Sequence, residues 1–241
     1  MSLTTLLRHT NKDHFRLDRS SLKDQSTELL RRQIITGRIP PGTKLVEREL
    51  AGLLGISRMP ARDALMALER EGLVVSKPNG RYVIELDKEA VQQLFQVRLV
   101  LERLAVAQAA QNRSPEHCAA LQANLQRMRA AIAQNERDAY VQSDLEAHQL
   151  IWQQAGNPYL LKMLNSIIGP IFMFISIHTE FQPDWQETLQ LHEELAAAIC
   201  AGQPEQAVRS IEAQLANSVQ LSLRIFEREQ VTAPPSSEHN P

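Results

Sequence analysis

Hydrophobic residues in the first third of the chain recur at helical spacing in three short segments. The first segment, 22–35, is followed by a proline-containing turn at 38–42, because proline cannot continue a helix. The second and third segments are predicted at 47–54 and 57–71. Gly55 lies between them, where a tight turn needs a residue that tolerates positive φ. The pattern is typical of two short helices packed about one turn.

The pattern then changes twice. Two β-branched or aromatic runs, at 73–76 and 81–84, flank Asn79-Gly80 and predict a β-hairpin. From Asp87 to about Glu229, helical periodicity dominates, with breaks at proline and glycine. The predicted fold class is mainly α, with a winged helix-turn-helix followed by an all-α antiparallel helical bundle. The predicted divisions are a flexible arm at 1–21, a winged helix-turn-helix domain at 22–85, an all-α domain at 86–229, and a disordered tail at 230–241.

Composition supports a globular chain of two domains. The 241 residues are 43% hydrophobic and 22% charged, which suffices for a substantial core. We find no uninterrupted apolar stretch of membrane-spanning length and no secretory signal, so we expect a cytoplasmic protein with no membrane partner. Cys118 and Cys200 lie in helical surroundings without a motif partner, and we expect both to be reduced thiols.

Charge is distributed unevenly along the chain. Residues 1–85 carry 15 basic and 10 acidic side chains, whereas residues 86–241 carry 11 and 18. This asymmetry favours contact of the first third with a polyanion, for which nucleic acid is the obvious candidate.

Two arginines at the start of the third helix are candidates for contact with a duplex. Arg58 and Arg62 are spaced i, i+4, and therefore project together from the side opposite the apolar face. Such a pair can bind guanine or phosphate in a bidentate manner. Arg48 on the preceding helix is placed for a backbone phosphate, and the hairpin tip at Asn79-Gly80 would form a wing. The alternative is a small helical module with solvated arginines.

In the helical region, polar residues on apolar faces are the informative ones, because burying them is costly unless they are partnered. Asp144 and His148 share one helix face, and His192 lies on another helix. An aspartate and a histidine one turn apart, with a second histidine from a facing helix, can hold one metal ion. Alternatively, the histidines are hydrogen-bonded core residues. Gln214 and the pair Arg98 and Glu102 also fall on apolar faces.

The run from Pro41 to Val83 resembles the winged helix of GntR-type bacterial transcription regulators. The matching motifs are Glu47-Arg48-Glu49-Leu50-Ala51, Gly55-Ile56-Ser57-Arg58, Arg62 and Glu71-Gly72-Leu73-Val74. Met59, Ala61 and Asp63 depart from the family pattern, and Met59 stands at a position of base contact. The resemblance implies DNA contacts from six residues: Arg48, Ser57, Arg58, Arg62, Asn79 and Gly80.

Residues from about Ala90 to Phe226 resemble the FCD-type ligand-binding domain of the FadR subgroup. The markers are Arg98-x-x-x-Glu102, Asp144-x-x-x-His148, Gly156-Asn157 and His192. Metal-binding members use one aspartate and three histidines, and this chain has Gln214 in place of the third histidine. An amide oxygen weakens affinity for Zn²⁺ or Ni²⁺. Either a weakened site survives, with Gln214 or water completing it, or the effector binds without metal.

In both cases the resemblance implies a small organic carboxylate as effector. Arg98 is the candidate clamp for the carboxylate, because a guanidinium matches it in a planar fork. Glu102 and His178 are the other candidate effector-binding residues, although His178 also suits a core or surface role. We therefore expect a homodimeric regulator, by analogy a repressor, that binds a double-stranded operator. Residues 22–85 are then its DNA-binding domain, and residues 86–229 its effector-binding and dimerisation domain. The alternatives are a metal-dependent hydrolase that uses Asp144, His148 and His192, and an architectural DNA binder without effector.

Overall fold

The computed structural model describes residues 22–178 and 185–232, with side chains as far as Glu227. Within these ranges the chain forms nine helices and three short strands. The N-terminal part contains α1 (Leu22–Ile35), β1 (Lys44–Leu45), α2 (Glu47–Leu54), α3 (Arg58–Arg70), β2 (Val74–Lys77) and β3 (Gly80–Val83). The C-terminal part contains α4 (Lys88–Gln111), α5 (Pro115–Ala133), α6 (Arg137–Gln154), α7 (Pro158–Ile177), α8 (Trp185–Cys200) and α9 (Pro204–Thr232). The predicted mainly α fold class is confirmed.

Helices α2 and α3 form the predicted helix-turn-helix. Gly55 lies between them with φ of 65°, in the left-handed region that the tight turn requires. Helix α3 buries its apolar face against α1 and α2. Ser57 has the extended backbone of an N-cap, but its hydroxyl makes no capping hydrogen bond. A serine immediately before a helix predicts a capping hydroxyl, and the structure confirms the N-cap position of Ser57 but not the hydrogen bond.

The wing is a three-stranded antiparallel sheet. β2 and β3 form the predicted hairpin, in which Lys77 pairs with Gly80 across the turn. β1 adds to the other edge of β3, where Lys44 lies opposite Tyr82. This third strand was not predicted, because two residues are too few to show an alternating pattern.

The C-terminal part packs around α4, which contacts α6, α7, α8 and α9. α7 is the most apolar of the described helices, and by length and composition alone it could cross a membrane. Ten of its residues are buried, and it packs against α1, α4 and α6. It is thus the core helix of this part of the protein.

Helix α9 continues to Thr232, three residues beyond the predicted domain end at 229. The predicted arm at 1–21, the break at Gln182-Pro183 and residues 233–241 of the predicted tail lie outside the described residues.

Cys118 and Cys200 form a disulfide in the structure. It joins the first turn of α5 to the last residue of α8, with the Cα atoms 5.7 Å apart and 82 positions apart in sequence. The expectation of two reduced thiols is therefore wrong. The absence of a sequence motif misled it, because the two helix ends meet only through the tertiary packing of α5 against α8.

Candidate DNA-binding face and effector site

The N-terminal part presents a basic groove between the start of α3 and the wing. Arg48 and Arg58 line it together with Lys44, Lys77 and Gly80. Ser57, Arg62 and Asn79 are also exposed. Among the described residues, Arg48, Arg58 and Arg62 have no ion-pair partner. These guanidinium groups are therefore free to bind phosphates or base edges.

The wing is fixed to the helices by one arginine. Arg81 Nη1 lies 2.7 Å from Glu47 Oε1, and Arg81 Nε lies 3.5 Å from Glu69 Oε2. Lys44 and Lys77 lie over the ring of Tyr82, at 5.8 Å and 5.1 Å from its centroid. Sequence reasoning missed these two lysines, since only the pairing of β1 with β3 brings Lys44 beside the wing.

In the helical part, the predicted cluster of Asp144, His148 and His192 forms. Asp144 Oδ1 lies 2.8 Å from His192 Nε2 and 3.6 Å from His148 Nε2. Both histidines are buried, and candidate ligand atoms of the three residues lie within 4.8 Å of one another. Asp144 and His148 come from α6 and His192 from α8, as their spacing predicted.

Both ring nitrogens of His148 have a polar partner. Its Nδ1 lies 3.1 Å from Glu102 Oε1, and its Nε2 lies 2.9 Å from Arg98 Nη2. Because a guanidinium can only donate, Nε2 accepts and Nδ1 carries the proton that it donates to Glu102. Burial lowers the pKa of His148, with the Arg98 charge adding to the effect, so this neutral tautomer is consistent with the geometry.

Glu102 is the anchor of this arrangement. It is fully buried, accepts a hydrogen bond from Trp152 Nε1 at 2.8 Å, and pairs with Arg98 Nε at 3.2 Å. Burial alone would raise the pKa of Glu102, but His148, Arg98 and the indole together lower it to about 2. Trp152 was predicted only as an apolar residue. The need of a buried indole N–H for an acceptor is the signal that could have placed it here.

His192 lies beside a carboxylate rather than a guanidinium. Its Nδ1 donates to the Thr188 carbonyl at 2.8 Å, and its Nε2 faces Asp144. Although burial opposes the charged form of both groups, their attraction raises the pKa of His192 and lowers that of Asp144. Gln214 is also buried, with its amide nitrogen 2.7 Å from His192 Nε2. Gln214 Oε1 has no hydrogen-bond partner in the part of the chain that the structure describes, and rotation of the amide by 180° would bring this oxygen to His192 instead.

The donor set fits a divalent transition metal. Zn²⁺ binds nitrogen and oxygen donors at about 2.0–2.2 Å, so the ligand atoms around one ion lie close together. The candidate ligand atoms of Asp144, His148 and His192 lie within 4.8 Å of one another, which is compatible with one shared ion. The unpartnered oxygen of Gln214 supplies a fourth candidate donor beside them. Arg98 opposes metal binding, because its Nη2 hydrogen-bonds the lone pair that His148 would give to the metal.

Of the three candidate effector-binding residues, His178 lies at a cavity, whereas Arg98 and Glu102 do not. His178 lines a small cavity of about 40 Å³ next to Asp144. Its Nδ1 lies 2.8 Å from the Phe174 carbonyl. Arg98 and Glu102 are buried within the cluster instead, and neither lines this cavity. The remaining lining is four hydroxyls and three aliphatic side chains, from Tyr140, Thr188, Ser218, Ser222, Ile175, Leu221 and Ile225.

The cluster offers little to a hydrolase. A metal-bound water needs a nearby carboxylate that is free to take a proton. Glu102 already holds His148, Arg98 and Trp152, and Glu146 pairs with Arg127 at the surface. Neither of these two carboxylates is therefore free to act as the base.

A winged helix-turn-helix in which Arg48, Arg58 and Arg62 have no ion-pair partner among the described residues, joined to a helical domain with a buried polar cluster, is the architecture of a DNA-binding regulator. Residues 22–84 match the family model described as bacterial regulatory proteins, gntR family, and residues 93–217 match the FCD domain. The chain belongs to the GntR family of transcription regulators with an FCD domain, and it is not an enzyme.

Two named relatives of this chain are transcriptional repressors. The chain is 28% identical over 175 residues to the gluconate operon transcriptional repressor of Bacillus licheniformis, covering 70% of this chain and 72% of that protein. It is 32% identical over 135 residues to the transcriptional repressor RspR of Escherichia coli, covering 56% and 59%. The solved structure of E. coli McbR/YncC superposes with a TM-score of 0.76 at 23% identity, covering 86% of this chain and 99% of that one.

Proposed function

We propose that the protein is a homodimeric, cytoplasmic transcriptional repressor whose operator affinity changes when a small organic carboxylate binds in the helical domain. The single observation that supports this most is the exposed, unpaired state of Arg48, Arg58 and Arg62 on one face. Solvated arginines need no partner, but three of them beside a wing form a surface that suits a duplex.

Dimerisation follows from what one recognition helix can contact. A single helix reaches too few base pairs for useful discrimination, so two copies would bind half-sites about 34 Å apart, one turn of the duplex. The exposed face of α4 suits the contact between copies. Val97, Val100 and Leu104 recur on this face at helical spacing, with 48%, 68% and 46% of each residue exposed.

For the effector we propose the region of the Asp144 cluster. Asp144, His148, His192 and Gln214 would hold a Zn²⁺ or Ni²⁺ ion, which when bound supplies a Lewis acid for a carboxylate oxygen. Arg98, Glu102 and Asp144 together carry a charge of −1 when both histidines are neutral. A divalent ion therefore leaves a surplus of +1, which a monocarboxylate neutralises. In this proposal Glu102 orients His148 through Nδ1, and the ion takes the Nε2 lone pair that Arg98 hydrogen-bonds in its absence. The Arg98 guanidinium would then turn to the carboxylate of the effector, and His178 lines the adjoining cavity.

DNA binding is tested by removing the arginine pair. We expect Arg58→Ala with Arg62→Ala to abolish specific footprints while circular dichroism and dimer mass stay unchanged. Arg70→Ala is the matched control, because Arg70 is exposed at the far end of the same helix. An unchanged footprint in the double variant would refute the proposed face.

Effector binding is tested by thermal shift against small carboxylates, with and without added Zn²⁺ or Ni²⁺. A specific ligand of the native state raises the melting temperature. We expect His148→Ala to lose this shift while the effector-free protein still binds its operator. If no acid in the panel shifts wild-type protein or alters operator binding, the architectural alternative is favoured and the sensor proposal fails.

A further inference from the structure

A methionine lies on the exposed face of α3, in the first turn of the helix. Met59 is the second residue of that helix, and 71% of it is exposed. The buried stripe of α3 consists of Ala61, Ala64, Leu65 and Leu68. With successive residues about 100° apart around a helix, Met59 projects from the side opposite this stripe.

The surroundings of Met59 are cationic. Arg58 precedes it and Arg62 follows on the same side of the helix, and both are exposed. Isolated exposed apolar residues are common, so exposure by itself decides nothing. The position is informative, because the first turn of the second helix is the part that faces base edges in helix-turn-helix proteins.

The chemistry of the side chain restricts what it could recognise there. A thioether has no hydrogen to donate and is a weak acceptor, so methionine gains little from the polar edges of bases. The one apolar group among the major-groove edges of the four bases is the 5-methyl group of thymine. We propose that Met59 contacts a thymine methyl group in each half-site and thereby selects thymine over cytosine at that position. This inference rests on the proposed DNA-binding face.

The test isolates the methyl group. The operator is first selected from random duplexes with the full-length protein, and each thymine is then replaced singly by deoxyuridine, which lacks only the methyl. Burial of one methyl is worth about 0.8 kcal/mol, or about fourfold in affinity. We expect one thymine position per half-site to show this loss, and about fifteenfold when both half-sites are changed.

Two variants complete the experiment. Met59→Ala is expected to bind thymine and deoxyuridine duplexes equally at that position. Met66→Ala is the matched control, since Met66 lies on the same face two turns further along and is 36% exposed; it should keep the wild-type sensitivity. A third duplex, with 5-methylcytosine in place of cytosine at the same position, should regain about fourfold in affinity for wild type only.

The outcomes separate this inference from the proposed DNA-binding face. Wild-type indifference to every deoxyuridine replacement overturns the role of Met59, even if the arginine variants lose binding as expected. Equal sensitivity in Met59→Ala and wild type overturns it as well. If the arginine pair proves dispensable while Met59→Ala alone abolishes the methyl effect, the Met59 contact stands and the arginine assignment fails.

Discussion

Leu73 packs against Gly169 so closely that a Cβ atom added to Gly169 would lie 2.9 Å from Leu73 Cγ. Leu73 follows the end of α3, and Gly169 lies within α7. Three residues further along α7, the ring of Phe172 lies 6.2 Å from that of His148. Helix α7 therefore contacts both the segment after the DNA-binding helix and the buried cluster. It is a direct physical connection through which the proposed ligand binding would act on the placement of the DNA-binding part.

Because of this contact, we expect Gly169→Ala to disturb the packing of α7 against the segment that follows α3. The added methyl group would also lie 3.2 Å from the Glu71 carbonyl oxygen, which cannot move without shifting the end of α3. Overpacking of this kind costs about 1–3 kcal/mol. We expect lower stability in urea unfolding and a smaller effect of effector on operator affinity.

Gly52→Ala is the control for that variant. Gly52 also lies within a helix, but a Cβ atom there meets nothing within 4 Å. Alanine should stabilise α2 by about 0.5–1 kcal/mol, because glycine is a poor helix former. Equal changes in the two variants would show that Gly169 matters only through helix propensity.

Much of the N-terminal part could be predicted because its signals are local. Gly55 and the Asn79-Gly80 turn mark chain reversals by the backbone conformations they tolerate, and α3 showed its buried face through spacing alone. β1 and the Cys118–Cys200 disulfide could not be predicted, since both depend on contacts between segments distant in sequence.

The sequence predicted which residues form the cluster of Asp144, His148 and His192, but not which hydrogen bonds and ion pairs join them to their neighbours. Helical spacing placed Asp144 beside His148, and the apolar surroundings of His192 indicated burial. Spacing cannot tell which charged residue neutralises which, so it did not predict that the Arg98 guanidinium pairs with Glu102 and hydrogen-bonds His148. The role of Arg98 as a clamp for a carboxylate stays a prediction.

Glu102→Gln should be strongly destabilising. It leaves the buried guanidinium of Arg98 without its partner, and breaking a buried pair in this way costs about 3–5 kcal/mol. Chemical denaturation at neutral pH measures the loss. Glu146→Gln is the control, because the Arg127–Glu146 pair lies at the surface and contributes about 1 kcal/mol or less. A loss at Glu102 no larger than the loss at Glu146 would contradict this account.

Ionisation of Glu102 should make the free energy of unfolding depend on pH. The pKa of Glu102 is about 2, below its ordinary 4.5, so the unfolded chain takes up the proton first as pH falls. The stabilisation by ionised Glu102 is complete above pH 4.5 and is lost between 4.5 and 2. Over that interval the wild-type free energy of unfolding should fall by about 3 kcal/mol more than that of Glu102→Gln. Parallel curves would contradict the assigned pKa.

The disulfide should stabilise the helical part. The bond closes a segment of 82 residues and so lowers the entropy of the unfolded chain, which raises the free energy of unfolding by up to about 4.5 kcal/mol in the loop-entropy model. We expect oxidised protein to resist urea better than protein treated with dithiothreitol. The double variant Cys118→Ser with Cys200→Ser should match the reduced protein and be indifferent to the reductant. If oxidised and reduced proteins unfold alike, the bond contributes nothing to stability.

Gln214→His should strengthen metal binding. It replaces an amide with an imidazole at the fourth donor position beside His192, and imidazole suits Zn²⁺ and Ni²⁺ better. Competition with a chromophoric chelator should show a gain of at least about tenfold. Gln206→His, at an exposed position of the same helix, controls for histidine added at the surface and should not change the affinity. An equal gain in both variants would show that Gln214 lies outside the metal site.

Val100→Glu should dissociate the dimer if the exposed face of α4 forms its centre. In a twofold contact each substitution occurs twice, so the two carboxylates would face each other across a desolvated patch. We expect a monomer by light scattering and weak operator binding with normal circular dichroism. Met163→Glu is the control, because Met163 is a comparably exposed apolar residue, 54%, on α7. A dimeric Val100→Glu protein beside a monomeric Met163→Glu protein would instead place the contact on the N-terminal half of α7.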